Sequence, residues 1–301
     1  MKGLLEGKVI VVTGAGAGVG KGIAIEAARQ GAKVIVNDLG VAIDGTGGNA
    51  GPAQQTVDEI RAFGGTAAAN TDSVAEWKSA QAIIQNALDL YGRIDGVVNN
   101  AGNLRDGIFH KMSEEDFDAV VKVHLKGCFN MSRAASPHFK TEETGAFVHM
   151  TSTSGLIGNF GQANYGAAKL GCVGLAKTLG LEGAKYNIRV NSLAPTAGTR
   201  MTEDIFPEEA FKAFSPENVV PAALFLVSDD APSGAIVGAG AGVYQSAFVT
   251  MNEGVMLPED QRTADGFAAA WGRISDRSSD AVIQSGLEQS MHAMQMLMAA
   301  K

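Results

Sequence analysis

At 301 residues, 46% of them hydrophobic and 19% charged, the chain has the composition of a globular protein large enough to bury a full α/β core. A formal net charge of −8 without any Lys/Arg cluster argues against a nucleic-acid or anionic-membrane partner. Cys128 and Cys172 have no metal-ligand spacing and read as reduced structural thiols, and no metal is expected. No apolar run reaches signal-peptide length at the start or the roughly 18 residues of a membrane span, so a soluble cytoplasmic protein is expected.

Along the chain, short β-branched runs alternate with longer amphipathic ones. Lys8–Thr13, Lys33–Asp38, Thr66–Thr71, Ile94–Asn99, Ala146–Thr151 and Ile188–Ala194 read as strands, and their near-continuous Val and Ile suit parallel strands covered on both faces. Helices are predicted between them over Gly18–Gln30, Gln54–Phe63, Val74–Tyr91, Ser113–Ala135, Gln162–Lys185 and Pro216–Ser228. This alternation implies an α/β fold, a doubly wound parallel sheet of Rossmann type. Gly40–Pro52 is a Gly-rich excursion and reads as a surface loop. The sheet is expected to be complete by Gly242, giving a dinucleotide-binding domain over 1–242. Residues 243–301 then form a C-terminal helical extension with helices over Thr263–Ser275 and Asp280–Ala300. Met291, Met294 and Met298 recur there at helical spacing, as on an adaptable contact face, so this extension should make subunit contacts or cover the active site.

Thr13-Gly14-Ala15-Gly16-Ala17-Gly18-Val19-Gly20 directly follows the first strand and opens a helix. Glycine there lets backbone approach a pyrophosphate, and the helix N-terminus supplies N–H groups and partial positive charge. Gly14, Ala17, Gly18, Val19 and Gly20 are therefore candidate cofactor contacts. The second strand ends in Asp38, whose carboxylate can accept from both hydroxyls of an adenosine ribose and would repel a 2′-phosphate. No Arg or Lys lies in Ala15–Ala17 to neutralise one, so the expected cofactor is NAD rather than NADP.

Tyr165 and Lys169 stand four residues apart, on one helical face. A free phenol titrates near 10, too high for a base at neutrality, and a fixed lysine cation favours the phenolate. Ser152, thirteen residues before Tyr165, lies at the carboxyl end of a strand, where open α/β sheets place their ligands. Its hydroxyl can hold a substrate oxygen while Tyr165 moves the proton.

These motifs together resemble the short-chain dehydrogenase/reductase family: Thr13-Gly14-x-x-x-Gly18-x-Gly20, Asn99-Asn100-Ala101-Gly102, Ser152, Tyr165-x-x-x-Lys169 and Pro195, over roughly residues 6 to 242. The resemblance implies that Asn99, Ala101 and Gly102 border the cofactor and that Asp72 and Ser73 contact its adenine. It also implies that the segment after Pro195, including Thr199, meets the nicotinamide carboxamide. The chain departs from the pattern in having Pro195-Thr196 for the usual Pro-Gly, with a following segment one residue short. The family's fifth-helix asparagine, which holds a relay water, is matched here by His124. That histidine is either packed and hydrogen-bonded or a member of the relay, and the relay is the reading adopted, since imidazole both donates and accepts.

A narrower resemblance rests on Asn37-Asp38-Leu39-Gly40, Asn103-Leu104-Arg105-Asp106, His124-Leu125, Gly158 to Tyr165, and Ala197 to Thr202. It is to the (3R)-hydroxyacyl-CoA dehydrogenase unit of the peroxisomal multifunctional enzymes of type 2, whose relatives also oxidise 17β-hydroxysteroids. That unit's hydratase and sterol-carrier companions have no counterpart here, and Lys301 ends no peroxisomal tripeptide, so a stand-alone enzyme is expected, as a homodimer or homotetramer. An acyl-CoA substrate would bring phosphates, for which Arg105 and Arg200 are the candidate contacts. A steroid or other hydrophobic secondary alcohol is the alternative. A non-catalytic dinucleotide sensor is disfavoured because Ser152, Tyr165 and Lys169 are all present.

Overall fold

In the run Val9-Ile10-Val11-Val12, every side chain is apolar, and a strand sends alternate residues to opposite faces. Such a strand is stable only when covered on both sides. In the computed structural model, which describes residues 3–198 and 213–299, Ile10 and Val12 enter one core layer while Val9 and Val11 enter the other. This strand, β1 (Val9–Thr13), lies inside an eight-stranded sheet of order β3-β2-β1-β4-β5-β6-β7-β8. The others are β2 (Lys33–Asn37), β3 (Thr66–Asn70), β4 (Gly96–Asn99), β5 (Gly145–Met150), β6 (Ile188–Pro195), β7 (Ile236–Gly240) and β8 (Val243–Ala247). Strands β1 to β7 pair in parallel. From β1 the chain winds outward through β2 and β3, then returns to β4 on the other side, and that reversal opens a crevice at the carboxyl ends of β1 and β4.

Helices α1 (Gly18–Arg29), α2 (Gly51–Ala62) and α8 (Val220–Val227) cover one face through Ile23, Val57, Ile60 and Leu226. On the other lie α3 (Trp77–Tyr91), α5 (Gly127–Glu142) and α7 (Ala163–Gly183), through Ile83, Ile84, Met131, Phe139 and Ala176. Each Val, Leu, Ile, Met or Phe among these, fully buried, contributes about 1.5–3 kcal/mol. The protein thus has the doubly wound Rossmann-type sheet its alternating pattern predicts.

The predicted helix over Ser113–Ala135 is two helices and a π-helical turn. Ser113 caps α4 (Glu114–Val121) by accepting from Asp116 N at 3.1 Å. Lys122–Lys126 then forms the π turn, and α5 runs through Pro137 to Glu142. An interior proline costs a helical hydrogen bond. Burial of Phe139 against Phe147, with ring centroids 4.9 Å apart, offsets that cost.

The sheet does not finish at Gly242. Ala241 and Gly242, both at positive φ, form a two-residue turn from β7 into β8. By its contacts the chain divides after Ser246. The second unit, described by itself, is held by an antiparallel bridge between Met251 and Ala281. In it α9 (Ala264–Ile274) is capped by Thr263, and α10 (Gly286–Ala299) exposes Met291, Met294 and Met298. Among the described residues no helix is long and apolar enough to cross a membrane.

Candidate active site

The glycine loop bends from β1 into α1 with Ala17, a residue with no capping group, at the N-cap. The first N–H groups of a helix have no intrahelical acceptor, so Gly18, Val19 and Gly20 offer donors and the positive end of the dipole to an anion. Gly20 must be glycine because a Cβ there would overlap Gly14 O and Asn100 Nδ2. Asn100 is the clamp that the sequence reading missed. Its Nδ2 donates to Thr13 O and Gly14 O at 3.0 Å each, and its backbone N–H donates to Thr13 Oγ1 at 3.0 Å. Ala101 N also donates to Thr13 Oγ1, at 3.0 Å.

Asp38 accepts from Gly16 N and Gly40 N, both at 2.7 Å. Two carboxylate oxygens have about four acceptor positions, so capacity for two ribose hydroxyls remains beside the loop. Asn37, quoted from sequence as part of a motif but given no role there, donates to Asp72 O at 2.8 Å and to Asn70 Oδ1 at 2.8 Å, tying β2 to the turn after β3. The Asp72 carboxylate accepts from Asn70 Nδ2, and Ser73 Oγ accepts from Ala75 N. Pro195 closes β6, beyond which Thr196 N bonds to Ala239 O at 2.8 Å. Thr199 and Arg200 lie outside the described residues.

The end of β5 grips α7 twice at Lys169. Thr151 Oγ1 donates to Lys169 O at 2.8 Å, and Lys169 Nζ donates to Met150 O at 2.7 Å. That anchors a nearly buried ammonium 5.5 Å from the ring centroid of Tyr165, one turn earlier. Tyr165 is half-buried. Ser152 caps the short helix α6 (Thr153–Leu156), accepting from Ser154 N at 3.1 Å. Asn164 fixes the start of α7 by donating to Arg105 O and Asp116 O while accepting from Tyr165 N at 2.7 Å. The loops after β4 and β5 are joined by Gln162 Nε2 to Asp106 Oδ2 at 2.7 Å and by Gly107 N to Gly161 O at 2.9 Å.

His124 sits in the π turn, a local irregularity often found at functional sites. Its ring meets Tyr165 edge-on at 5.1 Å and packs so tightly on Gly102 that a Cβ there would overlap Cε1. The absence of a side chain at Gly102 thus leaves room for the imidazole. Nε2 lies 2.8 Å from Asn103 O and 3.1 Å from Asn103 N, with roles set by the tautomer, and Nδ1 is buried without a partner among the described residues. Burial, helped by the Lys169 charge, holds its pKa well below the usual value, so the ring is neutral. Arg105 is partly committed to the fold: Nε donates to Asp44 O at 3.1 Å and NH1 pairs with Asp116 at 3.4 Å.

Comparison with known proteins assigns the class. The model of the short chain dehydrogenase family matches residues 8–210, and the protein belongs to that family of oxidoreductases. Among its relatives is a Mycobacterium tuberculosis protein named as a short-chain type dehydrogenase/reductase, 51% identical over 275 residues that cover 91% of this chain and 96% of the relative. Among solved structures, the full-length peroxisomal multifunctional enzyme type 2 from Drosophila melanogaster superposes with a TM-score of 0.83 at 33% identity, covering 98% of this chain. The chain spans 50% of that enzyme's length. A 7α-hydroxysteroid dehydrogenase complexed with NADH and 7-oxo glycochenodeoxycholic acid superposes at 0.72 with 30% identity, covering 80% of this chain and 96% of that one.

Proposed function

We propose that the protein is an NAD-linked dehydrogenase interconverting a secondary alcohol and its ketone, with a (3R)-3-hydroxyacyl-CoA as substrate. The observation that carries the chemistry is the Tyr165–Lys169 pair, anchored by Met150 O and Thr151 Oγ1 at the carboxyl edge of the sheet. The dinucleotide fits the uncapped N-terminus of α1, the Asn100-clamped loop and the spare acceptors of Asp38. When bound, its nicotinamide supplies the hydride acceptor or donor. In the oxidative direction Ser152 holds the alcohol oxygen, and Tyr165 Oη takes its proton as the ketone forms. Lys169 stabilises the phenolate through its fixed charge. His124 is the relay member that holds a water through its buried Nδ1, which has no partner among the described residues.

Preference for NAD rests on Asp38. Replacing Asp38 with Ala should weaken NAD binding and narrow the gap to NADP, and equal affinity of the native protein for both would overturn the assignment. The acyl-CoA reading is supported by the likeness to the multifunctional enzyme and tested by comparing kcat/KM for acetoacetyl-CoA and estradiol, before and after Arg105→Ala and Arg200→Ala. A steroid that wins in the native enzyme, or arginines without effect on the CoA ester, refutes it. The hydroxysteroid reading is favoured by exposed Phe109, Ile157 and Phe160, on the loops after β4 and β5.

A further inference from the structure

A line of buried polar groups runs away from the crevice at Asn99. Asn99 and His149 are register partners on β4 and β5, and Ser132 reaches them from α5. Asn99 Nδ2 donates to Ser132 Oγ at 3.4 Å, Ser132 Oγ lies 3.0 Å from His149 Nε2, and His149 Nδ1 lies 3.4 Å from Cys172 O on α7. None of these four residues is more than 5% exposed, so water does not substitute freely for any bond in the series. The catalytic steps described above use neither Ser132 nor His149.

The series has a direction. Burial holds the His149 pKa at about 4, so its ring is neutral and carries a single N–H. A backbone carbonyl can only accept, so the N–H is on Nδ1, facing Cys172 O, and Nε2 is the acceptor. Ser132 must then donate to Nε2, which leaves its oxygen to receive the Asn99 amide N–H. The carboxamide is thereby turned with Oδ1 away from Ser132. Oδ1 makes no hydrogen bond among the described residues, and Asn99 borders the same hollow as Thr13, Ala101 and His124.

We propose that His149 is a positioning residue, which through Ser132 holds the Asn99 carboxamide with its oxygen toward the crevice, where it accepts a hydrogen bond from a ribose hydroxyl of the dinucleotide. This rests on the reading of that crevice as a dinucleotide site. Without the acceptor at Nε2, the Ser132 hydroxyl is free to donate to Asn99. The carboxamide can then satisfy it only by flipping its oxygen inward, and the prearranged acceptor at the crevice is lost.

The test is NADH titration by fluorescence, with steady-state kinetics and thermal melting, on His149→Leu, Ser132→Ala, the double variant and His149→Gln. Loss of one prearranged neutral hydrogen bond should raise the NADH Kd about 3- to 10-fold in each of the first two, with kcat at saturating cofactor close to native. The double variant should be no weaker than the worse single one, because both break the same line. His149→Gln should restore affinity, since its amide oxygen can accept where Nε2 does. A structural role alone would lower the melting temperature without this split between Kd and kcat and without rescue. A folded His149→Leu with native Kd, additive losses in the double variant, or failure of Gln to rescue overturns the proposal. If His149→Leu does not fold, Ser132→Ala decides by the same criterion. A native protein that binds no NADH defeats the dinucleotide reading itself, whereas native binding with unshifted variants defeats only the role of His149.

Discussion

Asn100→Ala is the substitution that isolates the glycine-loop clamp. It removes two donors, each 3.0 Å from its acceptor, and leaves Thr13 O and Gly14 O without them in a half-buried place. A neutral hydrogen bond contributes about 0.5–1.5 kcal/mol, so the expected loss of stability is about 1–3 kcal/mol. For a chain of this size that lowers Tm by roughly 2–5 °C. The same energy bounds the effect on the nucleotide: a loop less firmly held in its binding form raises the apparent Kd by at most about 5- to 150-fold. Asn100→Asp should be worse, because it sets a carboxylate against two carbonyl oxygens. Thermal melting and NADH fluorescence titration read the two effects separately. A Tm within about 1 °C of native together with an unchanged Kd in Asn100→Ala would refute the clamp.

If Tyr165 is the general acid/base proposed above, Tyr165→Phe should lower turnover by about 100-fold or more while NADH affinity stays near native, since only a hydroxyl is lost; retention of over a tenth of the rate contradicts that role. Stability should fall as pH drops from about 6.5 to about 4, because the buried His149 stays neutral to about 4 while the unfolded chain takes up a proton near 6.5. That single site contributes about 3 kcal/mol, complete above 6.5 and lost across that window. Urea unfolding at pH 7 and pH 4.5 should show His149→Gln losing less stability than the native chain, and equal losses would refute the assignment. If α10 presents a subunit contact through Met291, Met294 and Met298, replacing all three with Ser should lower the mass measured by light scattering.

The parallel sheet was legible in the sequence because a strand buried on both faces must be apolar at every position, and Val9 to Val12 or Val34 to Val36 admit little else. The glycine turn and the Tyr165–Lys169 spacing were legible for a similar reason: a tight turn and one helical turn are local geometries with short repeats. Strand β7, with glycines at 238 and 240, and β8, with Tyr244 and Gln245 exposed, lack that apolar signature and escaped notice. What the tertiary structure alone decided is which distant polar groups meet. Asn100 reaches a loop 86 residues earlier. His149 finds Ser132 across a helix–strand contact, and the π turn presents His124 to Tyr165 and Asn103. No local pattern encodes such pairings, because an Asn or His in a strand or helix has the same propensity whether its partner is water or a buried carbonyl. The partner is set only when the layers pack and every buried donor must be satisfied.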